Sequence, residues 1–545
     1  RRARALLGYD DMLKRLAAAL HGANGDALAQ TIAAQYPAAL VDEFQDTDPL
    51  QWRSLQRIYG ECDDTALLLI GDPKQAIYGF RGADIRTYFH ARESAAEPHW
   101  TLGTNHRSSK ELVAAVNRVF EHADTQSDGA FGFGGELPFV PVQARGRGEV
   151  LQLDGAPLPA LQLALPPCGD PVSMGAWRES MAAHAAAQLV AWLDAAQAGR
   201  CGFVGADGRL TPLQPGDVAI LVRDKTDAAA MAGALRRRGL AHVYLSDQHS
   251  VYASEQAVDL LRWLHACARP GDDRAMRAAL ATPGMARSLA ELASLDDDAR
   301  REASDEHFRQ LHALWQRHGV LAMLHELLHR FDLPARLLAC DGGERALTNL
   351  LHLAELLQQA ATGLDGEHAL IRFLAAQIEQ PGGGEDADAQ LVRLESEAAL
   401  VKLVTVHKSK GLEYPVVLLP FACGFREIDA DKPVLVRDGE GRVRMDLEPD
   451  AAALQAADDQ RLQEDLRLLY VALTRARHAC WVGVGNLKRG NRKDSDLHKS
   501  ALGYVLAGGD PIEAEALLPR VHALAGECAS IRLVDLPLEA DEHRH

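Results

Sequence analysis

The sequence has 545 residues, enough for about three or four domains of ordinary size. Hydrophobic residues make up 47% and charged residues 25%, which excludes a collagen-like, coiled-coil or wholly disordered chain. The net charge of -18 argues against a protein that coats nucleic acid by bulk positive charge, although a local basic groove remains compatible with it. The longest apolar run, Tyr414 to Cys423, is shorter than the ~18 residues of a membrane span, so no membrane partner is expected.

The cysteines and the first residues indicate the cellular compartment. The eight cysteines lie far apart, with no C-x-x-C pair and no histidine at metal-ligand spacing. We therefore expect reduced thiols in a cytoplasmic protein. The chain begins without methionine, and two acidic residues at positions 10 and 11 precede any apolar segment, which is not the pattern of a signal peptide. These features predict a chain that begins inside a longer protein.

Short apolar runs alternate with helical patterns along most of the chain. Four such runs predict buried parallel strands: Ala38–Val41, Ala66–Ile70, Val401–Val406 and Val416–Leu419. A helix is predicted over Ser108–His122, where Ser108 and Glu111 match a capping box. A second strand, helix and strand are predicted at Asp217–Arg223, Thr226–Arg238 and Val243–Leu245. This alternation predicts an α/β fold with parallel sheets.

One region lacks strand signals. From about 284 to 380, apolar residues recur at helical spacing, and an acidic, glycine-rich linker follows at 381–388 before the strand pattern resumes. We therefore predict five segments: the distal part of a first α/β domain (1–100), a second α/β domain in two pieces (101–283 and 396–490), a helical insertion between those pieces (284–395), and a linker (491–545).

Two adjacent carboxylates follow the first predicted strand. Asp42 and Glu43 match the arrangement in which one acid holds Mg²⁺ and its neighbour orients the water that attacks a nucleotide. A strand that ends in Asp-Glu is more often a solvated turn, so the dipeptide alone is weak evidence. The second strand, however, continues into a polar loop, Gly71–Ala83. We expect the two strands to be neighbours in one sheet.

The polar loop contains groups suited to two ligands. The amide of Gln75 could sense a γ-phosphate or the attacking water. Tyr78, Phe80 and Arg81 offer two aromatic rings and a guanidinium, and stacking of a base on an aromatic ring contributes roughly 1 to 3 kcal/mol whatever the sequence. The alternative interpretation is that Tyr78 and Phe80 are core residues.

These segments resemble motifs II and III of the UvrD-like superfamily 1 DNA helicases. Later segments resemble motifs IV, V and VI in the order of the family: Leu102–Ser108, Val404–Tyr414 and Glu464–Ala476. Five motifs in the family order leave little room for chance. The resemblance implies two RecA-like motor domains, the first incomplete in this chain. It also implies ATP and Mg²⁺ in the cleft between them and single-stranded DNA across the top.

The resemblance also implies roles for individual residues. Asp42 and Glu43 would bind the metal, and Glu43 would act as the general base. Gln75 would sense the γ-phosphate, which Arg107 and Arg475 would clamp, with Arg475 as an arginine finger. The remaining candidates are Gly411 and Glu413 at the nucleotide, where Glu413 would meet the sugar, and Tyr78, Phe80, Arg81, Thr405 and His407 at the DNA.

Local patterns agree with several of these roles. Arg107 lies between a predicted strand and a predicted helix, where its long side chain could reach phosphates held by the other domain. Thr405 and His407 could donate to a DNA phosphate. The plainer interpretations are a surface arginine and a strand-end histidine. Motif VI is predicted to be a helix with one buried stripe that ends at Arg475, and the stripe contains Leu462, Leu466, Leu469, Tyr470 and Leu473.

Within the family, Gly71–Ile85 and the residues at 10–13 and 46–49 are closer to the branch that forms exodeoxyribonuclease V than to stand-alone repair helicases. That branch implies a 3′–5′ helicase-nuclease subunit that acts on DNA ends with two partner subunits in recombinational repair, in the cytoplasm at the nucleoid. The sequence contains no G-x-x-x-x-G-K-[ST] phosphate loop and no nuclease carboxylate cluster after Gly490. We therefore expect a fragment that does not hydrolyse ATP by itself.

Three alternatives remain open. A non-catalytic DNA-binding or scaffold subunit with a helicase-like fold agrees with the missing phosphate loop but not with the intact candidate site residues. A single-chain repair helicase of the UvrD or AddA type would differ in whether its gene continues into a nuclease domain. An ATPase of the chromosome-segregation or transporter kind would carry an LSGGQ-like segment, which this sequence lacks.

Overall fold

The computed structural model describes residues 8–60, 64–95, 99–126, 128–167, 169–245, 251–285, 287–340, 343–379, 400–437, 443–490, 492–540 and 545. The chain divides into two compact units, formed by residues 1–246 with 398–545 and by residues 247–397. The acidic linker predicted at 381–388 lies outside the described residues.

A seven-stranded sheet forms the centre of the first unit, and its strand pairings are parallel. In spatial order its strands are His242–Tyr244, Val401–Thr405, Val218–Val222, Tyr414–Leu419, Ala476–Gly483, Leu161–Leu165 and Ile531–Asp535. The two central strands Val218–Val222 and Tyr414–Leu419 bury every side chain, as expected for a parallel sheet covered on both faces. The α/β fold class predicted from the sequence is confirmed.

Helices surround this sheet and share its core. The longer ones are Lys110–Asp124, Met174–Gln197, Lys225–Arg237, Ala451–Leu473 and Ala514–Ala525, with the shorter Ala501–Ala507. Their buried residues form one hydrophobic cluster with the sheet, in which Phe120 and Trp481 are fully buried. No described helix has the combination of length and apolar character that a bilayer span requires.

The N-cap of the helix after motif IV lies one residue later in the sequence than predicted. Ser109 is the N-cap, and its hydroxyl accepts a hydrogen bond from the backbone N of Leu112 at 3.2 Å. The hydroxyl of Ser108 instead donates to the carbonyl of Ala476 at 2.8 Å. The predicted capping box of Ser108 with Glu111 is therefore wrong, because a tertiary partner takes the Ser108 side chain.

A separate two-stranded parallel sheet carries the residues before motifs II and III. Its strands, Ala38–Val41 and Ala66–Leu69, pair as predicted. The prediction that they are buried is wrong, since their side chains alternate between half-buried and exposed, with Leu40 68% and Leu68 49% exposed. Alternate side chains of a strand point to opposite faces, and one face packs near Trp52. The flanking helices are Tyr9–Leu20, Gly25–Gln35, Pro49–Tyr59 and Ile85–Ser94.

The other described strands form small sheets. An antiparallel sheet contains Val150–Leu153, Ala156–Pro157, Cys201–Val204 and Leu210–Pro212. Three further strand pairs are Thr104–Asn105 with Gln143–Ala144, Val172–Ser173 with Leu487–Lys488, and Val434–Arg437 with Val443–Asp446.

The second unit is helical throughout its described residues. Its α-helices are Glu255–Ala268, Asp273–Leu280, Leu289–Ala293, Asp298–Arg330, Leu333–Leu338, Gly343–Ala361 and Glu367–Glu379. The longest is interrupted at Gly319, whose φ of 86° is a value that glycine adopts without steric cost. Leu260 and Met276 share the core of this unit with the later helices. The helical core therefore begins before residue 284, where the insertion was predicted to start.

Candidate functional site

The two adjacent carboxylates lie directly after the strand Ala38–Val41, and both are exposed. Glu43 has a left-handed backbone, with φ 51° and ψ 37°, which is uncommon for a residue with a side chain. Asp42 Oδ1 accepts a hydrogen bond from the backbone N of Glu43 at 2.9 Å. Both residues line an open cavity of about 490 Å³ whose other walls are largely apolar. Two accessible carboxylates suit Mg²⁺, which keeps several waters and uses few protein ligands.

A buried glutamine connects motif II to motif III. Gln45 is 1% exposed, and its Nε2 donates to Glu43 Oε2. Its Oε1 accepts from the backbone N of Asp72 at 2.9 Å, and Asp72 Oδ2 accepts from Gln75 Nε2 at 3.0 Å. Glu43 and Gln75 are therefore joined through two intermediate residues, Gln45 and Asp72. The sequence analysis missed Gln45, although an amide two residues after Glu43 was a usable signal.

Lys410 of motif V contacts Glu43 and a further carboxylate of motif II, Asp46. Its side chain is 5% exposed, and its Nζ lies 3.3 Å from Glu43 Oε2 and 2.5 Å from Asp46 Oδ2. It also donates to the carbonyl of Gln75 at 3.0 Å. Burial raises the pKa of Asp46, while the hydrogen bond and charge of Lys410 act in the opposite direction. The sequence analysis included this lysine in motif V but gave it no role.

Arg107 lies, as predicted, between the strand Thr104–Asn105 and the helix Lys110–Asp124. Its Nε donates to Glu413 Oε2 at 3.0 Å, and its terminal NH1 donates to the carbonyl of Thr474 at 3.3 Å. Two residues predicted separately to contact the nucleotide are thus paired with each other.

Arg475 follows the helix Ala451–Leu473 as predicted, but its guanidinium is turned into the protein and is 1% exposed. Its Nε donates to the carbonyl of Val471 at 2.9 Å and its NH1 to that of Leu412 at 3.1 Å. Burial, and next the charge of Arg107, lower the pKa of Arg475 to about 10. In this conformation its donors satisfy backbone carbonyls, so the finger role requires another side-chain position.

The predicted DNA-binding residues of motif III form a cluster with motif V. Phe80 is 68% exposed, and its ring lies 5.9 Å from that of Tyr78 and 5.2 Å from that of His407. The Arg81 guanidinium lies 5.3 Å from the Tyr78 ring centroid. The alternative that both aromatic residues are core residues is therefore wrong for Phe80. Burial, and next the charge of Arg223, lower the pKa of His407, which favours a neutral imidazole.

Strand directions place the motif V residues at two edges of the large sheet. Thr405 ends the strand Val401–Thr405, and Glu413 immediately precedes the strand Tyr414–Leu419. Both strands run parallel to Val218–Val222, which pairs with each of them. Thr405 therefore lies at the carboxyl edge of the sheet and Glu413 at the amino edge. Gly411, with φ 81°, lies in the connection between the two edges.

The helix of motif VI is buried on more than the one predicted stripe. Leu466, Leu468 and Leu469 are all buried, a pattern that does not fit a single face of a helix. The buried Arg467 donates from its Nε to the carbonyl of Ala76 at 2.7 Å, and burial lowers its pKa to about 10. This contact, which the sequence analysis missed, connects motif VI to motif III.

Apart from Thr405 and Gly411, the predicted residues thus form three neighbouring groups. The first contains the carboxylates with Gln75, the second the aromatic cluster with Arg81 and His407, and the third the arginines with Glu413. The first and third are close enough for Glu43 and Glu413 to affect the titration of Arg475. Among the described residues, no set of three or more histidine, cysteine, aspartate or glutamate side chains forms a metal cage.

The segments that form these groups match known family profiles. Residues 1–96 match the UvrD/REP helicase N-terminal domain, and residues 335–485 match the UvrD-like helicase C-terminal domain. The chain belongs to the UvrD-like helicase family. The first match contains the carboxylates and motif III, and the second contains motifs V and VI.

Comparison with individual relatives shows which branch of the UvrD-like helicase family this chain resembles. It is 41% identical over 534 residues to the RecBCD enzyme subunit RecB of Escherichia coli (strain K12), covering 97% of this chain and 44% of the relative. It is 38% identical to RecB of Haemophilus influenzae, over 92% of this chain and 40% of the relative. For RecB of Mycolicibacterium smegmatis the identity is 36%, over 95% and 48%. These relatives are RecB subunits, so the predicted resemblance to the exodeoxyribonuclease V branch is confirmed, and the chain spans less than half the length of these relatives.

Proposed function

We propose that this chain is the motor region of a RecB-like subunit, an ATP-dependent DNA helicase that moves 3′–5′ on single-stranded DNA. The observation that carries the proposal is the contact set of Lys410. Its ammonium joins Glu43 to the carbonyl of Gln75 and lies 5.1 Å from the Tyr78 ring centroid. Groups suited to nucleotide chemistry and groups suited to base stacking therefore share one connected site.

Each nucleotide-facing residue would perform a step that its chemistry allows. Asp42 would hold the Mg²⁺ that accompanies ATP, and the metal would neutralise charge on the phosphates. Glu43 would accept a proton from the attacking water, which Gln75 would help to orient. Arg107 would exchange its carboxylate partner for the γ-phosphate, and Arg475 would act as the finger.

The sugar and the DNA would be held by the remaining candidates. Glu413 and Gly411 would lie at the nucleotide sugar. Phe80 and Tyr78 would stack on bases, which tolerates any DNA sequence and suits a translocating motor. Arg81, Thr405 and His407 would contact the DNA backbone, and a neutral His407 would do so as a hydrogen-bond donor rather than as a cation.

The relatives support a larger assembly. Their names place them in the RecBCD enzyme. We infer that the full-length protein acts with RecC-like and RecD-like subunits at double-strand DNA ends in recombinational repair, at the nucleoid in the cytoplasm. An exonuclease activity would belong to parts of the full-length protein beyond this chain.

The test uses the full-length protein in its complex and a Glu43→Gln variant. We expect phosphate release from ATP to depend on single-stranded DNA and to fall by about 10²- to 10⁴-fold in the variant, the usual contribution of a general base. Duplexes with a 3′ or a 5′ single-stranded tail then report the direction of unwinding. Absence of DNA-dependent hydrolysis in the wild type, with DNA binding retained, would instead favour the non-catalytic DNA-binding subunit.

A further inference from the structure

Arg107 lies in a short loop whose backbone is held by polar groups around it. The loop joins the strand Thr104–Asn105 to the helix Lys110–Asp124. The side-chain oxygen of Asn105 accepts hydrogen bonds from the backbone N of Arg107 and from the backbone N of Ser108, both at 2.9 Å. In the proposed function, the side chain of Arg107 changes its partner from a carboxylate to the γ-phosphate. Its backbone therefore has to stay in place while the side chain moves.

Arg147 holds the same loop at the carbonyl group of Arg107. Its NH1 donates to that carbonyl oxygen at 3.0 Å. The peptide unit between Arg107 and Ser108 is planar, so this bond and the bond from the Ser108 N–H to Asn105 together fix its orientation. The peptide unit before Arg107 is fixed by the N–H of Arg107 itself. With both neighbouring peptide units fixed, the direction in which the Arg107 side chain leaves the backbone is fixed as well.

Arg147 is itself held by a carboxylate. Its Nε donates to Glu149 Oε1 at 2.7 Å, and the same oxygen lies 3.3 Å from Nε2 of the buried His478. His478 belongs to the strand Ala476–Gly483 of the large sheet. Although burial acts to raise the pKa of Glu149, the hydrogen bond and charge of Arg147 lower it, so the carboxylate is ionised at neutral pH. The Arg147 guanidinium is therefore fixed between the loop and a strand of the sheet.

We propose that Arg147 is a positioning residue for Arg107, and that it acts through the backbone carbonyl of the motif IV loop. The inference rests on the proposed function, because it requires Arg107 to contact the γ-phosphate. Arg147 lies outside all five motifs that resemble those of the helicases, and it does not touch the nucleotide itself. Because phosphoryl transfer depends on the placement of the charged groups around the phosphate, loss of Arg147 lowers the rate by displacing Arg107.

Arg200 supplies a matched comparison. Its NH1 donates to Asp154 Oδ1 at 2.5 Å, so it is another arginine paired with a carboxylate at the surface. Glu149 directly precedes the strand Val150–Leu153 and Asp154 directly follows it. The two ion pairs therefore lie at opposite ends of one strand, and Arg200 is at the end away from the Arg147 contact. Loss of Arg200 removes a similar ion pair without removing a hydrogen bond to the motif IV loop.

The experiment measures kcat and KM for ATP in the full-length protein with saturating single-stranded oligonucleotide, and the oligonucleotide Kd by fluorescence anisotropy. Arg147→Met should lower kcat about tenfold or more, while KM and the Kd change less than about threefold, since Arg147 touches neither ligand. In the Arg107→Gln background the same substitution should lower kcat less than about twofold, because the residue through which it acts is already absent. Arg147→Lys should recover part of kcat, and Arg200→Met should keep the wild-type value.

Two results would overturn this proposal alone: a wild-type kcat in Arg147→Met, or an equal loss from Arg147→Met with and without Arg107. Should Arg147→Met fail to fold, Glu149→Gln takes its place, because it keeps the side-chain size and removes the charge that holds Arg147. A loss of kcat in Glu149→Gln that disappears in the Arg107→Gln background supports the positioning role. No loss, or an equal loss in both backgrounds, overturns it. A wild type without DNA-dependent hydrolysis overturns the proposed function and this inference together.

Discussion

At the scale of single residues, an arginine predicted to bind phosphate is already paired with a carboxylate at the surface. Arg107 donates to Glu413 at 3.0 Å, and Glu413 also lies 3.5 Å from Arg477. An arginine fork that already meets a carboxylate has the geometry for a phosphate oxygen as well. The pairing therefore agrees with the proposal that Arg107 exchanges the Glu413 carboxylate for a phosphate.

Replacement of Arg107 tests this exchange. We expect Arg107→Gln in the full-length protein to lower kcat for ATP by about 10³-fold, the lower end of the effect of an arginine on phosphoryl transfer. Arg107→Lys should recover little, because an ammonium lacks the bidentate fork. Steady-state phosphate release is the measurement, and Arg477→Gln is the control for loss of the Glu413 pair alone. Equal losses in Arg107→Gln and Arg477→Gln would assign the effect to Glu413.

Buried histidines give a pH dependence with a definite sign. Burial lowers the pKa of His478 below its ordinary value of 6.5, and this outweighs the opposing effect of Glu149, while the charges of Arg147 and Arg477 add to the lowering. In the window below pH 6.5 the unfolded chain takes up a proton at this position that the folded chain does not, so the free energy of unfolding falls as the pH falls. Above pH 6.5 both states are neutral at this position and the contribution is constant.

The prediction compares the pH dependence of the unfolding free energy in the wild type and in His478→Phe. Between about pH 7.5 and about pH 5.5, the loss of unfolding free energy should be smaller in His478→Phe than in the wild type, because a buried neutral imidazole is removed. Urea unfolding at several pH values measures it. The exposed His99 provides a control, since His99→Gln should keep the wild-type dependence. An unchanged slope in His478→Phe would show that other groups set the dependence.

At the scale of elements, the loop of motif III is held at consecutive points by later parts of the chain. Lys410 donates to the carbonyl of Gln75, Arg467 donates to that of Ala76, and Tyr78 donates to that of His407. These bonds fix the loop while leaving the Phe80 ring 68% exposed. The loop therefore offers a rigid aromatic surface, which suits stacking because little conformational entropy is lost on binding.

Removal of the exposed Phe80 ring tests whether this loop stacks on DNA bases. We expect Phe80→Ala to weaken single-stranded DNA binding by about tenfold, corresponding to a stacking contribution of roughly 1 to 3 kcal/mol. Stability should change little, because most of the ring is outside the core. Fluorescence anisotropy with an oligonucleotide gives the Kd. Trp100, which is 90% exposed, provides the comparison, and an equal effect of Trp100→Ala would point to general surface hydrophobicity instead of a defined stacking site.

At the scale of the whole molecule, the chain contains the proposed carboxylates, sensor and arginines, but its sequence has no G-x-x-x-x-G-K-[ST] phosphate loop. Backbone amides and a lysine of such a loop hold the β- and γ-phosphates in related nucleotide hydrolases. In the proposed function, the residues of this chain would therefore contact only part of an ATP molecule. Chemistry at the γ-phosphate depends on positioning more than on any single group.

We expect the isolated chain to release no more phosphate from ATP than its own Glu43→Gln variant, with or without single-stranded DNA. The full-length protein provides the positive control in the same assay. Hydrolysis by the isolated chain that requires DNA and disappears in Glu43→Gln would mean that the residues present hold the nucleotide without the loop. The account of the missing contacts would then be wrong.

Local periodicity by itself determined the fold class and the position of several elements. The strands at Ala38, Ala66, Val218 and Val401 and the helix before Arg475 lie where apolar spacing predicts them, because that spacing reports which local conformation buries apolar side chains. The motifs likewise located the residues that form the candidate site. Contacts between distant positions were decided only by the tertiary structure.

Three such contacts show the physical reason. Lys410 meets Glu43, Ser108 meets Ala476, and Arg467 meets Ala76, each across hundreds of residues. Their geometry depends on the order of strands in the large sheet and on which polar groups need a partner once buried. Local spacing carries no information on either. The sequence therefore determined which residues could act, and the packing of the sheet decided which of them act together.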